Sequence, residues 1–209
     1  YAKTSAMLRE VGAEAVICDK RVRRVFGQVI RRYSPPRGMI AAEALCNGTP
    51  SDGRIEPDML AMAQFSSGTT KAPKPVGLTH RQIIANVDAI LSQVPIEPGQ
   101  SVIPAGCSWL PLYHDMGLIG CIFPTMSVPG KLALIPPEVF LSKPALWLRA
   151  ISRHRVLVSP APNFAYALCA ERIRDEDLEG CDLSGWSLAL NGAEAVAPAH
   201  LRAFCERFS

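Results

Sequence analysis

Short apolar runs alternate with amphipathic stretches of helical period along most of this chain. Residues 4–10 suit a short helix, which Gly12 ends, and Ala15 to Cys18 reads as a brief strand. Val22, Val25, Phe26, Val29 and Ile30 then recur at helical spacing, and Arg21, Arg23, Arg24, Arg31 and Arg32 occupy the opposite side. Tyr33 to Pro57 is rich in Pro and Gly with few periodic apolar positions, and is expected to be a long surface connection. The apolar run Met59 to Phe65 precedes a polar stretch, after which a helix is expected to open at Thr79-His80. Thr79 can cap that helix, whose apolar side carries Ile83, Val87, Ile90, Leu91 and Val94. Pro95 and Pro98-Gly99 end it. Strands are expected at Gly106–Leu110, Lys131–Ile135, Val156–Ser159 and Ser187–Leu190. Between and after them come helices: Ser142 as cap with Pro144 early in a helix to His154, Pro162 to Arg172, and one starting at Pro198. Strands and helices alternating this often predict an α/β fold with largely parallel sheets flanked by helices.

Composition narrows the class without naming a function. The 209 residues suit one or two domains; 48% are hydrophobic, 20% are charged, and the net charge is +3. That balance is too mild to argue for nucleic acid, and no apolar run is long enough to span a membrane. The basic helix around Val22–Ile30 could bind acidic membranes, but a solvated outer face is the stronger reading. The charge cluster from Arg172 to Glu179 is likewise read as solvated surface. Seven cysteines and four histidines are scattered without metal-ligand spacing, which favours reduced, mostly buried thiols in a cytoplasmic protein. The N-terminus has neither a signal-peptide layout nor an initiator Met, and is expected to belong to a piece of a longer chain.

The densest chemistry lies in Phe65-Ser66-Ser67-Gly68-Thr69-Thr70-Lys71-Ala72-Pro73-Lys74-Pro75-Val76. Hydroxyls, backbone amides and two ammonium groups between a strand and a helix make a phosphate cradle. It is not a Walker A loop. Counted from Gly68, that motif needs Gly at 73 and Ser or Thr at 75, and both positions are proline. Two further polar segments, Pro111–Gly117 and Asn191–Glu194, also follow expected strands. Ligands of parallel α/β sheets bind beyond the carboxyl ends of the strands, so the three segments could converge on one cleft. Three ordinary turns would look the same by composition.

The first stretch resembles the phosphate loop of the adenylate-forming enzymes, usually written Ser-Gly-Thr-Thr-Gly-x-Pro-Lys-Gly. Ser67, Gly68, Thr69, Thr70, Pro73 and Lys74 match, whereas Lys71 and Pro75 replace two glycines. Trp109-Leu110-Pro111-Leu112-Tyr113-His114-Asp115-Met116-Gly117-Leu118 is similar to the next family motif, close to its wording in fatty acyl-AMP ligases and long-chain acyl-CoA synthetases. Asn191-Gly192-Ala193-Glu194 resembles the third, and Pro160 to Tyr166 resembles the acyl-pocket wall of the lipid-activating branch. The motifs keep the family order, and the resemblance runs through essentially the whole chain.

That resemblance implies a fragment of the large N-terminal domain of an adenylate-forming enzyme, with the C-terminal domain and its catalytic Lys beyond it. The implied reaction is ATP-dependent activation of a long-chain fatty acid to an acyl-adenylate, then transfer to coenzyme A or an acyl carrier protein. Ser66, Ser67, Gly68, Thr69, Thr70 and Lys74 would hold the phosphates, with Lys71 as a second cation. Asn191, Gly192, Ala193 and Glu194 would support adenine and the adenylate, Gly192 and Ala193 letting the chain lie flat, while Glu194 would hydrogen-bond nearby or only finish the turn. His114 would sit beside the carboxylate in a catalytic or gating role, and Asp115 would orient the turn, since adjacency argues against a mutual dyad. Asn163, Phe164 and Tyr166 would touch the acyl substrate, although a helix cap and a core aromatic explain Asn163 and Tyr166 equally well. ATP and Mg²⁺ are the implied cofactors, the Mg²⁺ ligand falling outside this chain, and the fragment alone is expected to be inactive. The missing glycines leave a second reading: a non-catalytic module that binds nucleotide or acyl chain.

Overall fold

The structure is a computed structural model that describes residues 1–47, 53–65, 74–94 and 105–208. The chain divides into two compact units, residues 1–83 and 84–209.

In the first unit, α1 (Ala2–Glu10), β1 (Val16–Cys18), α2 (Lys20–Arg32) and β2 (Met39–Ala41) form a βαβ element with one added helix. Asp19 starts α2 by accepting from the Val22 amide at 2.7 Å. Val29 is buried, and Ser5 Oγ of α1 donates to its carbonyl at 3.2 Å. The basic side of α2 is exposed, as expected. The presumed surface connection from Tyr33 to Pro57 is corrected. It contains β2, which pairs in parallel with β1 in the register Ile17↔Ile40, and a 3-10 turn at Ala42–Asn47. A three-residue strand completed by a partner remote in sequence has too little pattern of its own to be seen.

A second correction concerns the polar stretch. β3 (Leu60–Phe65) is followed by β4 (Pro75–Thr79), and the two pair antiparallel with Phe65 opposite Pro75. The stretch therefore joins two strands of a hairpin, not a strand to a helix. Pro73, Pro75 and Gly77 disguised β4, yet Pro75 is the first residue of the strand, where a missing amide is tolerated. After β4 comes α3 (His80–Leu91). Its start is a reciprocal cap: the Gln82 amide donates to Thr79 Oγ1 at 3.3 Å, and the Thr79 amide to Gln82 Oε1 at 2.9 Å.

The second unit holds a four-stranded parallel sheet in the order β6-β5-β7-β8, built from β5 (Ala105–Ser108), β6 (Lys131–Leu134), β7 (Val158–Pro162) and β8 (Leu188–Gly192). β7 carries Pro160 and Pro162 although it is an interior strand. Its recorded pairing with β5 is at Gly106↔Val158, whereas its ladder with β8 runs to Pro162↔Gly192. The prolines thus lie past the β5 ladder. This is why a strand that reads as ending at Ser159 continues to Pro162.

The core of this unit is aromatic. Trp147 of α7 (Ala145–His154) is fully buried, with its indole N–H donating to Ser159 Oγ at 2.9 Å. Ser159 passes the bond on to the Cys107 carbonyl at 2.6 Å, tying α7 to β7 and β5. Phe140, Trp109, Tyr166 and Trp186 meet Trp147 edge to face, and Phe204 packs edge to face on Tyr166 and Trp186. Phe140 belongs to α6 (Pro137–Ser142), a helix the sequence pattern did not suggest. Ser142 therefore ends α6, donating to the Val139 carbonyl, instead of capping α7. The remaining helices are α8 (Asn163–Arg172) and α9 (Pro198–Phe208). A further helical stretch opens as α4 (Asp115–Gly117), widens to a π turn at Leu118–Ile122, and closes as α5 (Phe123–Ser127).

Candidate functional site

The strands of the second unit are parallel, so the segments that leave β5, β7 and β8 emerge at one edge of the sheet. Hydrogen bonds and ring contacts join them there. After β7, Asn163 is 4% exposed. Its Oδ1 accepts from Asn191 Nδ2 at 3.3 Å and from the Ala197 amide at 3.1 Å, while its Nδ2 lies 2.7 Å from His200 Nδ1. Asn163 is thus neither a simple helix cap nor a residue facing open space; it clamps the turn after β8 and the start of α9. The Phe164 amide donates to Glu194 Oε1 at 2.7 Å, and the Phe164 ring meets Trp109 edge to face at 5.8 Å. Tyr166 is buried in the aromatic core and donates its hydroxyl to the Leu190 carbonyl at 2.9 Å, supporting β8 from beneath. Desolvation pushes its phenol pKa up, so it stays a neutral donor.

His114 and Asp115 occupy the segment after β5. His114 has extended backbone (φ −109°, ψ 145°) at the start of α4. Its Nδ1 lies 2.6 Å from Asp115 Oδ1, with both side chains about half exposed or more. Adjacency in sequence argued against this contact, and the extended backbone at a helix start is what permits it. Asp115 Oδ1 also accepts from the Met116 amide at 2.7 Å, which pins the turn. The Met116 amide also lies 3.4 Å from His114 Nδ1. Gly117 is required by geometry: a Cβ there would collide with the Pro111 carbonyl.

Of the motif residues Gly192, which ends β8, and Ala193, which follows it, it is Ala193 that takes the left-handed conformation, at φ 67°. Asn191 Oδ1 is buried and has no hydrogen-bond partner among the described residues. An orphaned acceptor at a strand's carboxyl end is a place for a ligand's donor.

Beside this edge lies a cavity of about 400 Å³. One wall is a face of the sheet, where Leu132, Gly106, Val158 and Leu188 stand abreast, with Pro160, Leu190 and Gly192 continuing the row. The helical stretch after Asp115 lines it through Met116, Gly120, Cys121 and Pro124, and the end of α3 through Ile90 and Leu91, with Val94 just beyond. Burial pushes the Cys107 thiol up to about 12 and the Cys121 thiol up as well, so both remain protonated and apolar in the lining. The cavity suits an apolar chain. The sequence pattern marked only part of it: Ile90, Leu91 and Val94 on the apolar side of the expected helix line the cavity, as does the alternation of Val158 with Pro160 and of Leu188 with Leu190. The rest is assembled from single apolar residues on other strands and from a π-distorted helix carrying Gly120 and Pro124.

Residues 66–73 lie outside the described residues, so Ser66, Ser67, Gly68, Thr69, Thr70 and Lys71 are not placed. Lys74 is exposed just before β4. Among the described residues no group of three or more His, Cys, Asp or Glu could hold a metal ion, and no helix is long and apolar enough to cross a membrane.

The sequence model of a family described as AMP-binding enzyme matches residues 2–209. Among curated proteins, the chain is 34% identical over 218 residues to the long-chain-fatty-acid–AMP ligase FadD23 of Mycobacterium tuberculosis, covering 99% of this chain and 37% of that one. It is 39% identical over 176 residues to the medium-chain-fatty-acid–[acyl-carrier-protein] ligase TtuA of Teredinibacter turnerae, covering 82% of this chain and 27% of that one. Among solved structures, a fatty acyl-adenylate ligase from L. pneumophila in complex with acyl adenylate and pyrophosphate matches with a TM-score of 0.80 at 31% identity, covering 99% of this chain and 36% of that one. The chain therefore spans between about a quarter and little more than a third of the length of these three proteins.

Proposed function

This chain belongs to the family of AMP-binding enzymes, and from that premise we propose that its parent enzyme activates a long-chain fatty acid as an acyl-adenylate, using ATP and releasing pyrophosphate. The observation that carries the reading is the apolar cavity whose lining reaches Asn191 and Gly192 at the carboxyl edge of the sheet. A cavity of this size is within the range of ligand pockets, and an apolar slot ending at polar βα segments suits an amphiphile with its carboxylate at that edge.

In the proposed reaction a carboxylate oxygen forms a bond to the α-phosphorus, and the bond to the bridging oxygen breaks, that oxygen leaving with its electron pair in pyrophosphate. Two anions must meet, so positioning and neutralisation of charge dominate. His114, whose Nδ1 lies against Asp115, would stand beside the substrate carboxylate. Asn191 Oδ1, buried without a donor, fits the exocyclic amino group of adenine. Ser66 to Thr70, Lys71 and Lys74 would hold the leaving phosphates, and bound Mg²⁺ would supply further charge neutralisation from ligands outside this chain. The acyl group then passes to a thiol, of coenzyme A or of an acyl carrier protein; the similarity to TtuA supports the second as an option. We place the parent in the cytoplasm, where scattered cysteines stay reduced. The second reading, a non-catalytic binding module, draws on Pro75, which opens a strand where the motif has a glycine.

Exchange of labelled pyrophosphate into ATP by the full-length parent tests this. Exchange is expected with fatty acids and absent with acetate or amino acids. The opposite selectivity would overturn the lipid assignment, and binding of ATP and fatty acid without any exchange would establish the binding module.

A further inference from the structure

Gly106 sits within the sheet wall of the cavity, and nothing in the backbone asks for a glycine there. It lies inside β5 with φ outside the left-handed region, so other residues could adopt its conformation. A Cβ built on it would meet the tip of the Leu132 side chain at 3.2 Å and the Val158 carbonyl at 3.7 Å, a tight fit to one flexible group and ordinary contact with the other. Gly117 is the contrast, since there a Cβ would strike a backbone carbonyl. Glycine inside a strand weakens it, and often marks a place where a ligand comes close.

The missing side chain faces the cavity. Gly106 pairs with Leu132 on one side and with Val158 on the other, and Val158 pairs with Leu188, so the four share one face of the sheet. All four line the cavity, and all are only half-buried. The aromatic core packs on the other face, where Ser159 accepts from the Trp147 indole. The row across the sheet therefore has a gap at its second position, and that gap opens into the cavity.

Strand register gives its distance from the reacting end. Val158 stands four residue steps before Pro162, which pairs with Gly192 at the carboxyl edge. At about 3.3 Å per step the gap lies roughly 13 Å from that edge. Carbon–carbon bonds of about 1.5 Å at a near-tetrahedral angle advance an extended chain roughly 1.3 Å per carbon, so about ten carbons reach the gap. The lining continues past it through Ala105, Val128 and Gly130.

We propose that Gly106 is a specificity-determining residue: by withholding a side chain it keeps the slot open to acyl chains longer than about ten carbons. The inference rests on the fatty-acid reading above and deepens it, by naming the residue behind a long-chain preference.

The test is pyrophosphate exchange by the full-length parent with hexadecanoic against octanoic acid, the second ending short of the gap, compared as a ratio of kcat/KM. Gly106→Val is expected to lower the long-to-short ratio about tenfold, since a single methylene in an apolar pocket already carries discrimination of that order. Gly106→Ala, whose methyl needs only a small shift of the Leu132 tip, is expected to lower it less. Valine suits a strand, and Gly106→Ala carries the same comparison should Gly106→Val not fold. A ratio unchanged in the folded variants overturns the inference and leaves the fatty-acid reading intact. A fall no larger for Gly106→Val than for Gly106→Ala overturns it too, since distortion of β5 and not lost space would then be the cause. So does wild-type enzyme that uses octanoic but not hexadecanoic acid, because the slot would already be closed. Wild-type enzyme that exchanges with neither acid, nor with any other fatty acid, overturns both readings.

Discussion

Asn163 shows how one amide can tie several segments of a site together. Its carbonyl oxygen accepts from the Asn191 side chain and the Ala197 amide, and its NH₂ meets His200, all in a nearly buried position. Asn163→Ala would strip the partner from two donors at once. Leaving buried donors unpaired costs about 1–3 kcal/mol, so a loss of about 2 kcal/mol is expected in urea unfolding followed by tryptophan fluorescence. A loss within error of zero would mean that water replaces the amide freely. Ala193 carries the opposite kind of signal. A non-glycine residue at φ 67° is strained by roughly 1 kcal/mol, and such strain tends to persist where a turn has a task.

At the scale of elements, the informative feature is that α8 borrows its cap. Its N-cap residue is Pro162, which has no side-chain group to offer the first amides. Glu194, in the turn after β8, supplies the carboxylate to the Phe164 amide instead. The negative charge also faces the positive end of the helix. Glu194→Ala is expected to lower the melting temperature through a loss of about 1 kcal/mol, and Glu194→Gln to retain most of it by keeping the acceptor. Equal losses in the two variants would assign the stabilisation to charge and not to the hydrogen bond. Because α8 and the Asn191–Glu194 turn hold each other, either change is also expected to loosen the turn proposed to face adenine.

On the scale of the whole molecule, the thiols of the second unit set an alkaline limit. Burial pushes Cys107 and Cys169 up to about 12, well above an unfolded thiol near 9. Between those values the folded state keeps protons that the unfolded chain releases, so stability is full below about pH 9 and falls as pH rises. Each such thiol steepens the fall by up to about 1.4 kcal/mol per pH unit. Unfolding is readily followed, since Trp109, Trp147 and Trp186 all lie in residues 84–209. Cys169→Ala is expected to flatten the decline between pH 9 and the upper limit of about 12 relative to wild type, each at its own starting stability. An unchanged slope would show that the thiol is not desolvated.

Local pattern was sufficient wherever an element carries its own signal. The amphipathic spacing of Val22 to Ile30, the Thr79 cap, and the apolar runs before Phe65 and around Cys107 and Leu188 all lie where periodicity and caps put them, because those forces act within a few residues. Motif wording was likewise sufficient for the family. What needed tertiary structure was everything that depends on a partner distant in sequence. β2 exists because β1 lies beside it, and β4 because β3 does; β7 runs through two prolines because β8 supplies its ladder. The contact of His114 with Asp115 depends on the backbone at a helix start, and the clamp at Asn163 on a turn that begins 28 residues later. The cavity belongs to no segment at all. It arises only when four strands, the end of α3 and a π-distorted helix enclose one space, and no single stretch of sequence records that.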